Sequence, residues 1–274
     1  MKGIKGPLLL GIIILSCCSI LFVKGYKSAV KTIETGQTTV VAFDEKATEQ
    51  KVINSLPEGI KKHVDLLEAD VKSSSGSASA YMALANLYDS LKAWPVSGSY
   101  YFKAAIAAPS EASWLSAGKA YIQAARNATD SAEVFFCIGK ATESFEKVLS
   151  YNEGNLDAKN SLALCLAQNP TQIMSAVKML REVLAIDSNN VQATFTLGML
   201  AIQSGQMDKA ADRFEKLRRL EPYNTEYYYY LADIYNQLGR KEKAVMMLEE
   251  CKALTKEQKA KNRIDDLIKE IQNN

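Results

Sequence analysis

The residue types that could support catalysis are few in this 274-residue chain. It contains a single histidine, His63, which directly follows Lys61 and Lys62. A hydrolase or transferase needs a nucleophile beside a base, or a metal ion held by protein ligands. One histidine beside two lysines provides neither arrangement. We therefore interpret His63 as a solvated or helix-capping residue.

Two further patterns imitate catalytic motifs. Residues 138–142 read Ile-Gly-Lys-Ala-Thr, but a phosphate-binding loop also needs an earlier glycine and a preceding strand, so we interpret this segment as the start of a helix. The acidic pairs Asp265-Asp266 and Glu249-Glu250 lie among basic residues, as is typical of solvated helix faces. We predict that the chain is not an enzyme and has no cofactor.

The cysteines and the overall charge exclude further classes of site. Cys17 and Cys18 lie in an apolar run, and Cys137, Cys165 and Cys251 are scattered without metal-ligand spacing. We interpret them as small residues in helix packing and predict no metal site. The 33 basic and 31 acidic residues leave a net charge of +2, which gives no indication of a nucleic-acid surface. We expect neither nucleic acid nor a small-molecule substrate as a partner.

The N-terminus carries an uncharged apolar run, residues 7–23, with Lys2 and Lys5 before it and Lys24 and Lys27 after it. A helix of that length spans roughly 26 Å, near the lower limit for crossing a bilayer. We predict that residues 1–27 form a signal anchor with a transmembrane helix.

Two alternatives remain for this segment. The spacing of small residues around Val23-Lys24-Gly25 also fits a cleaved secretory signal. Ile14-Leu15-Ser16-Cys17 resembles the box in which bacterial lipoproteins carry a lipid-modified cysteine. All three interpretations export the rest of the chain, so we expect a single-pass protein of the cytoplasmic membrane whose C-terminal domain is periplasmic or otherwise extracytoplasmic.

The remaining chain divides into segments of different periodicity. Residues 28–56 show no sustained period and are interpreted as a tether. In the segment 57–77, apolar residues recur every three or four positions, which predicts a lead-in helix. Charges alternate around apolar residues in the last segment, 259–274, which predicts a capping helix with a solvated outer face.

Between residues 78 and 258 the sequence repeats itself with a period of about 34 residues. The clearest unit carries the repeated features at Leu197, Gly198, Gly205, Ala210, Phe214 and Pro222. We place five units in tandem, at 78–110, 111–155, 156–190, 191–224 and 225–258. The second has about eleven extra residues between its two predicted helices.

These positions resemble the tetratricopeptide repeat pattern, W-x2-L-G-x2-Y followed by A-x3-F and P, and the chain resembles a membrane-anchored bacterial member of that family. The resemblance implies an all-α fold, a right-handed superhelix of five helical hairpins, with the small residues allowing close helix approach. It also implies a concave groove lined by certain positions of each first helix. Those positions are Met82, Asn86, Leu115, Lys119, Gln123, Asn160, Leu164, Gln168, Phe195, Met199, Gln203, Tyr229, Asp233 and Gln237.

Two features of this set suggest a ligand. Four successive units end the groove row in glutamine, whose amide suits the backbone of an extended peptide. Phe195, Met199 and Tyr229 are expected to form one exposed apolar strip whose removal weakens binding and leaves stability intact. A second candidate surface lies before the second helix of unit two, at Val134, Phe135, Phe136 and Ile138.

The leading hypothesis is a membrane-tethered scaffold that binds partner proteins or peptide segments in its groove. The nearest analogy is the tetratricopeptide module of cytochrome c maturation systems, which presents apocytochrome segments, and it rests on architecture alone. The alternative is a structural subunit or lipoprotein of an envelope complex, in which the groove packs permanently on another subunit.

Overall fold

A computed structural model describes residues 43–273, and these residues form thirteen α-helices, one short 3-10 helix and no β-strand. The predicted all-α class is confirmed for this part of the chain. Residues 1–42, which include the predicted anchor and most of the predicted tether, lie outside it. None of the helices between residues 43 and 273 is long and apolar enough to cross a membrane.

The helices follow one another in a simple order. They are α1 Glu45–Ser55, α2 Glu58–Ser73, α3 Ala78–Ser90, α4 Trp94–Ala107, α5 Glu111–Asn127, α6 Ser131–Tyr151, α7 Leu156–Leu166, α8 Ile173–Ile186, α9 Val191–Gln203, α10 Met207–Leu220, α11 Thr225–Gln237, α12 Lys241–Leu254 and α13 Gln258–Asn273. The 3-10 helix, Pro170–Gln172, precedes α8. Each helix from α2 onward contacts the next, so α3 to α12 form five consecutive hairpins, with α2 and α13 at the two ends.

The predicted tether, 28–56, is wrong in its C-terminal part, because Glu45–Ser55 form helix α1. The Asp44 carboxylate caps this helix by accepting a hydrogen bond from the Ala47 amide at 2.9 Å. Helix α1 contacts α4, the second helix of the first hairpin. The sequence concealed it because α1 contains no buried residue and therefore no apolar period.

Every first helix of a hairpin begins at a side-chain cap. The capping side chains accept from backbone amides inside the first turn, and they are Ser77, Ser110, Asn155, Asn190 and Asn224. These amides have no partner within the helix, so each cap is worth about 1 kcal/mol of helix stability. The caps fix the start of each repeat independently of the core.

In three of the five hairpins the turn uses one residue with positive φ. Gly205 (φ +72°) and Gly239 (φ +70°) occupy this position in the last two hairpins, where an L side chain would be strained. Lys92 adopts φ +58° at the corresponding turn of the first hairpin. These three turns contain a left-handed residue, which is glycine in two of them, whereas the turns of α5–α6 and α7–α8 contain none.

The closest approach of the two helices in a hairpin occurs where a small residue meets a ring. A Cβ atom added to Gly118 on α5 would lie 2.7 Å from the Phe145 ring on α6. One added to Gly198 on α9 would lie 2.9 Å from the Phe214 ring on α10. All four residues are buried.

Two other hairpins, α7–α8 and α11–α12, have alanine and leucine at the same positions of the repeat. Ala163 stands where Gly118 and Gly198 stand, and Leu180 replaces the phenylalanine. Ala232 and Leu248 do the same in the last hairpin. These alanines and leucines are all buried in the core. Where alanine replaces the glycine, leucine replaces the bulkier phenylalanine, so the space between the two helices stays filled.

Substitutions at glycine test this packing. Gly118→Ala and Gly198→Leu should each destabilise the chain by about 1–3 kcal/mol, because rings and backbone must move to admit the new atoms. Gly139→Ala is the matched control, since Gly139 lies inside α6, not at its predicted start, and nothing is within 4 Å of an added Cβ. It should stabilise the chain by about 0.5–1 kcal/mol. Thermal melting followed by circular dichroism measures all three. Unchanged melting of Gly118→Ala would contradict the assigned packing.

Candidate protein-binding surface

The glutamines predicted to end the groove row lie near the C-terminal ends of four successive first helices. Gln237 donates to the Asp233 carboxylate at 2.7 Å, and Gln168 donates to the Leu164 carbonyl at 3.4 Å. The Gln203 side chain carries a buried Oε1 atom that accepts no hydrogen bond from any described residue. One member of the row therefore holds an unused acceptor.

A second unused acceptor lies one hairpin earlier. Asn160 on α7 is only 2% exposed, and its Nδ2 donates to Asn190 Oδ1 at 3.0 Å. Asn190 Oδ1 also accepts from the Ala193 amide as the cap of α9. The remaining atom, Asn160 Oδ1, is buried and receives no donor from the described residues. Helices α7 and α9, which carry Asn160 and Gln203, contact each other.

The first helix of the last hairpin carries two half-buried polar side chains, Asp233 and Tyr229. Burial raises the pKa of Asp233, and the hydrogen bond from Gln237 partly opposes this. Burial also raises the pKa of Tyr229 to about 12, with smaller contributions from Cys251. Both side chains are half-buried. The surface of this hairpin thus presents an acceptor and a neutral phenol.

The prediction that Phe195, Met199 and Tyr229 form an exposed apolar strip is wrong, because these side chains are buried or half-buried. Met199 is 6% exposed and belongs to the core, as does Leu164. Phe195 is half-buried and lies edge-on to Phe214, with ring centroids 5.7 Å apart, and to Tyr230 at 5.9 Å. Removing Phe195 would open a cavity beside these rings, so we now expect its loss to lower stability, contrary to the expectation from the sequence.

The predicted positions in the first two hairpins are more accessible. Met82 and Asn86 are exposed, and Asn86 Oδ1 accepts from the Tyr101 hydroxyl at 2.6 Å. Lys119 is exposed and forms an ion pair with Asp157 at 2.6 Å. Leu115 and Gln123, in the same hairpin as Lys119, are half-buried.

The second predicted surface, residues 134–138, is reduced to one exposed ring. Phe135 is exposed, whereas Phe136 packs against Phe43 and Tyr121 with centroid distances of 4.8 and 6.0 Å. Val134 and Ile138 are half-buried. The segment lies inside α6, so the extra residues of this unit lengthen helices instead of forming a loop.

An apolar edge was missed by the sequence analysis. It consists of exposed residues in or just beyond the last turn of successive second helices: Ile106, Tyr151, Ile186 and Tyr223. Aligning the ends of the second helices across the repeats would have revealed apolar residues where solvated ones are usual. Single exposed apolar residues need no explanation, but a row of them marks a contact surface more often.

The residues that were considered as catalytic candidates are either exposed on helices, buried as free thiols or paired with other side chains. His63 is exposed on α2, and Cys137, Cys165 and Cys251 are buried free thiols. Glu250 accepts a hydrogen bond from Arg218 at 2.7 Å. Within residues 43–273 no group of three potential metal ligands comes together.

The comparisons with known proteins agree with this architecture. MamA from Desulfovibrio magneticus RS-1 superposes with a TM-score of 0.52 at 17% identity, over 65% of this chain and 94% of that chain. TTC0263, a thermophilic tetratricopeptide repeat protein of Thermus thermophilus, gives 0.51 at 13% identity, over 69% and 97%. The chain has the tetratricopeptide repeat fold. The prediction of a tetratricopeptide repeat protein is confirmed at the level of fold.

Two sequence matches cover smaller parts of this tetratricopeptide repeat chain. A family model described as regulator of microtubule dynamics protein 1-3 matches residues 193–273. Anaphase-promoting complex subunit 3 of Dictyostelium discoideum is 32% identical over 125 residues, which is 46% of this chain and 13% of that protein. The tetratricopeptide repeat fold is typical of non-enzymatic scaffolds for protein–protein interaction.

Proposed function

We propose that this chain is a non-enzymatic scaffold that binds extended peptide segments of partner proteins along the faces of its first helices. The observation that carries the proposal is the unused acceptor Gln203 Oε1, on a half-buried side chain at the C-terminal end of the first helix α9. An unsatisfied buried acceptor costs about 1–3 kcal/mol. An extended peptide presents backbone N–H groups that satisfy such atoms.

The chemistry of the surface defines the ligand. The unused Gln203 atom is an acceptor, and Asp233 is a second, partly desolvated acceptor. The Lys119 ammonium is already paired with Asp157. The surface therefore favours donors, such as peptide N–H groups and basic side chains, over an anionic group such as a C-terminal carboxylate. Met82 and Leu115 offer apolar contacts on the first helices of the first two hairpins.

Removing one acceptor tests this proposal. Gln203→Met keeps the side-chain length and removes the orphan oxygen, so folding stability should stay the same or rise. Peptides selected on the wild-type chain from a randomised 12-residue display library should bind this variant about tenfold or more weakly, which corresponds to about 1.4 kcal/mol. Fluorescence anisotropy with a selected peptide measures the affinities.

Gln192→Met is the matched control. Gln192 lies on the same helix, α9, but is exposed, and its substitution should leave the affinity unchanged. A library that yields no binding peptide would contradict the proposal. Selected peptides that bind Gln203→Met as tightly as the wild type would contradict it as well.

We further propose that residues 1–27 tether the scaffold to the cytoplasmic membrane, with the repeats on the extracytoplasmic side. The support is the apolar run at 7–23 between lysines. Deleting residues 1–25 should move the chain to the soluble fraction after cell lysis and high-salt washing, with its helix content retained. A truncated chain that stays with the membranes would contradict an N-terminal tether.

A structural subunit of a larger complex is the second candidate function. The apolar edge at Ile106, Tyr151, Ile186 and Tyr223 favours it, since permanent interfaces bury such residues. The matched relative from Dictyostelium is itself a subunit of a complex by name. Under this alternative the edge, and not the first-helix faces, would contact the neighbouring subunit.

A further inference from the structure

Helix α1 is fixed to the first hairpins mainly through its own carboxylates. The Ser99 hydroxyl of α4 donates to Glu45, and the Lys103 ammonium lies 3.9 Å from the same carboxylate. One turn later the Tyr100 hydroxyl donates to Glu49 at 2.7 Å. Two carboxylates spaced four residues apart lie on one side of a helix, so both can face α4.

The surface beneath α1 places two ammonium groups, those of Lys103 and Lys140, near the Glu45 carboxylate. The Glu49 carboxylate raises the pKa of the buried Tyr88 hydroxyl in addition to the larger effect of burial. Burial raises the pKa of Glu45, and the ammonium groups of Lys103 and Lys140 oppose that rise. We name this surface the carboxylate cradle, and it comprises Tyr88, Ser99, Tyr100, Lys103 and Lys140.

An aromatic contact completes the arrangement. The Phe43 ring, two residues before Glu45, lies against the Phe136 ring of α6 with centroids 4.8 Å apart. Phe136 in turn contacts the buried Tyr121 edge-on. The segment from Phe43 to Glu49 therefore presents an aromatic residue just before α1 and two carboxylates on α1 in a fixed spacing, and the hairpins present a partner for each.

Helix α1 is also the helix with the weakest hold on the core. It is the one α-helix among residues 43–273 that contains no buried residue. Its partly buried apolar residues, Val52 and Ile53, lie near its C-terminal end. Leu56 and Pro57, both extended, separate it from α2. The contacts that hold its N-terminal half are those of the cradle and Phe136.

We propose that the carboxylate cradle is an exchangeable docking site for an acidic helix of a partner protein, which α1 occupies in its absence. The partner helix carries an aromatic residue, a carboxylate two positions later and a second carboxylate four positions after that. The charges of the cradle and the chemistry of its present occupant select this partner. Apart from the buried Tyr88 on α3, the site lies on the second helices α4 and α6, so the inference does not rest on peptide binding along the first helices.

A synthetic peptide tests the exchange on the full chain. The probe is residues 43–56, FDEKATEQKVINSL, labelled at its C-terminus. The double variant Glu45→Lys and Glu49→Lys repels α1 from Lys103 and frees the cradle without altering it. The freed chain should bind the probe about tenfold or more tightly than the wild type, because the intramolecular competitor is lost. Fluorescence anisotropy measures both affinities.

Three controls separate the cradle from other surfaces. Lys46→Gln with Lys51→Gln changes exposed residues of α1 and should bind the probe as the wild type does. Adding Tyr100→Phe and Lys103→Gln to the freed chain should abolish the gain in affinity. A probe with lysine in place of both glutamates should not bind. A gain that survives the cradle substitutions, or no gain at all, would overturn the proposal.

Hydrogen exchange on the wild-type chain provides a test without substitutions. Saturating probe should speed exchange of the amides of residues 45–55 while α4 stays protected. Unchanged protection of α1 under saturating probe would overturn the proposal. A wild-type dimer formed by mutual exchange of α1, seen by light scattering at high concentration, would assign the cradle to a second copy and would overturn the choice of a separate partner.

Discussion

The fold depends on the pairing of one small residue with one large side chain in four of the five hairpins. Gly118 against Phe145 and Gly198 against Phe214 allow the two helices to approach closely, and the alanine–leucine pairs fill the same space elsewhere. A single hairpin cannot bury its apolar face alone, so each one relies on its neighbours. The core accordingly extends from α2 to α13 in three adjoining clusters.

This dependence explains which features the sequence could predict. The small–large pairs recur with the repeat, so hairpins α3 to α12 followed from spacing alone. The burial of individual side chains did not follow from spacing. Asn160, Leu164 and Met199 occupy positions that face the groove in the family, yet they are buried here. Burial depends on the size of the residues in the next hairpin, which a repeat pattern does not encode.

Helix α1 could not be predicted from the sequence, because polar contacts hold its N-terminal half. Its attachment uses Glu45 and Glu49, charged residues that also occur on any solvated helix. Hydrophobic periodicity reports contacts with a core and cannot report a helix held by hydroxyl and ammonium groups. Most apolar residues of the first helices are buried in the core. The accessible faces of these helices are therefore rich in amide and carboxylate oxygens. Recognition at those faces rests on hydrogen bonding more than on apolar anchors.

Site-specific photo-crosslinking in cells that make the chain tests the central claim, that partners bind along the first-helix faces. A photoreactive phenylalanine analogue would replace one exposed residue at a time. Lys119 and Gln237 lie on first helices, whereas Glu146 and Lys178 are exposed on second helices. The account predicts that the same partner is crosslinked from positions 119 and 237 and not from 146 or 178. Crosslinks confined to 146 and 178 would contradict it.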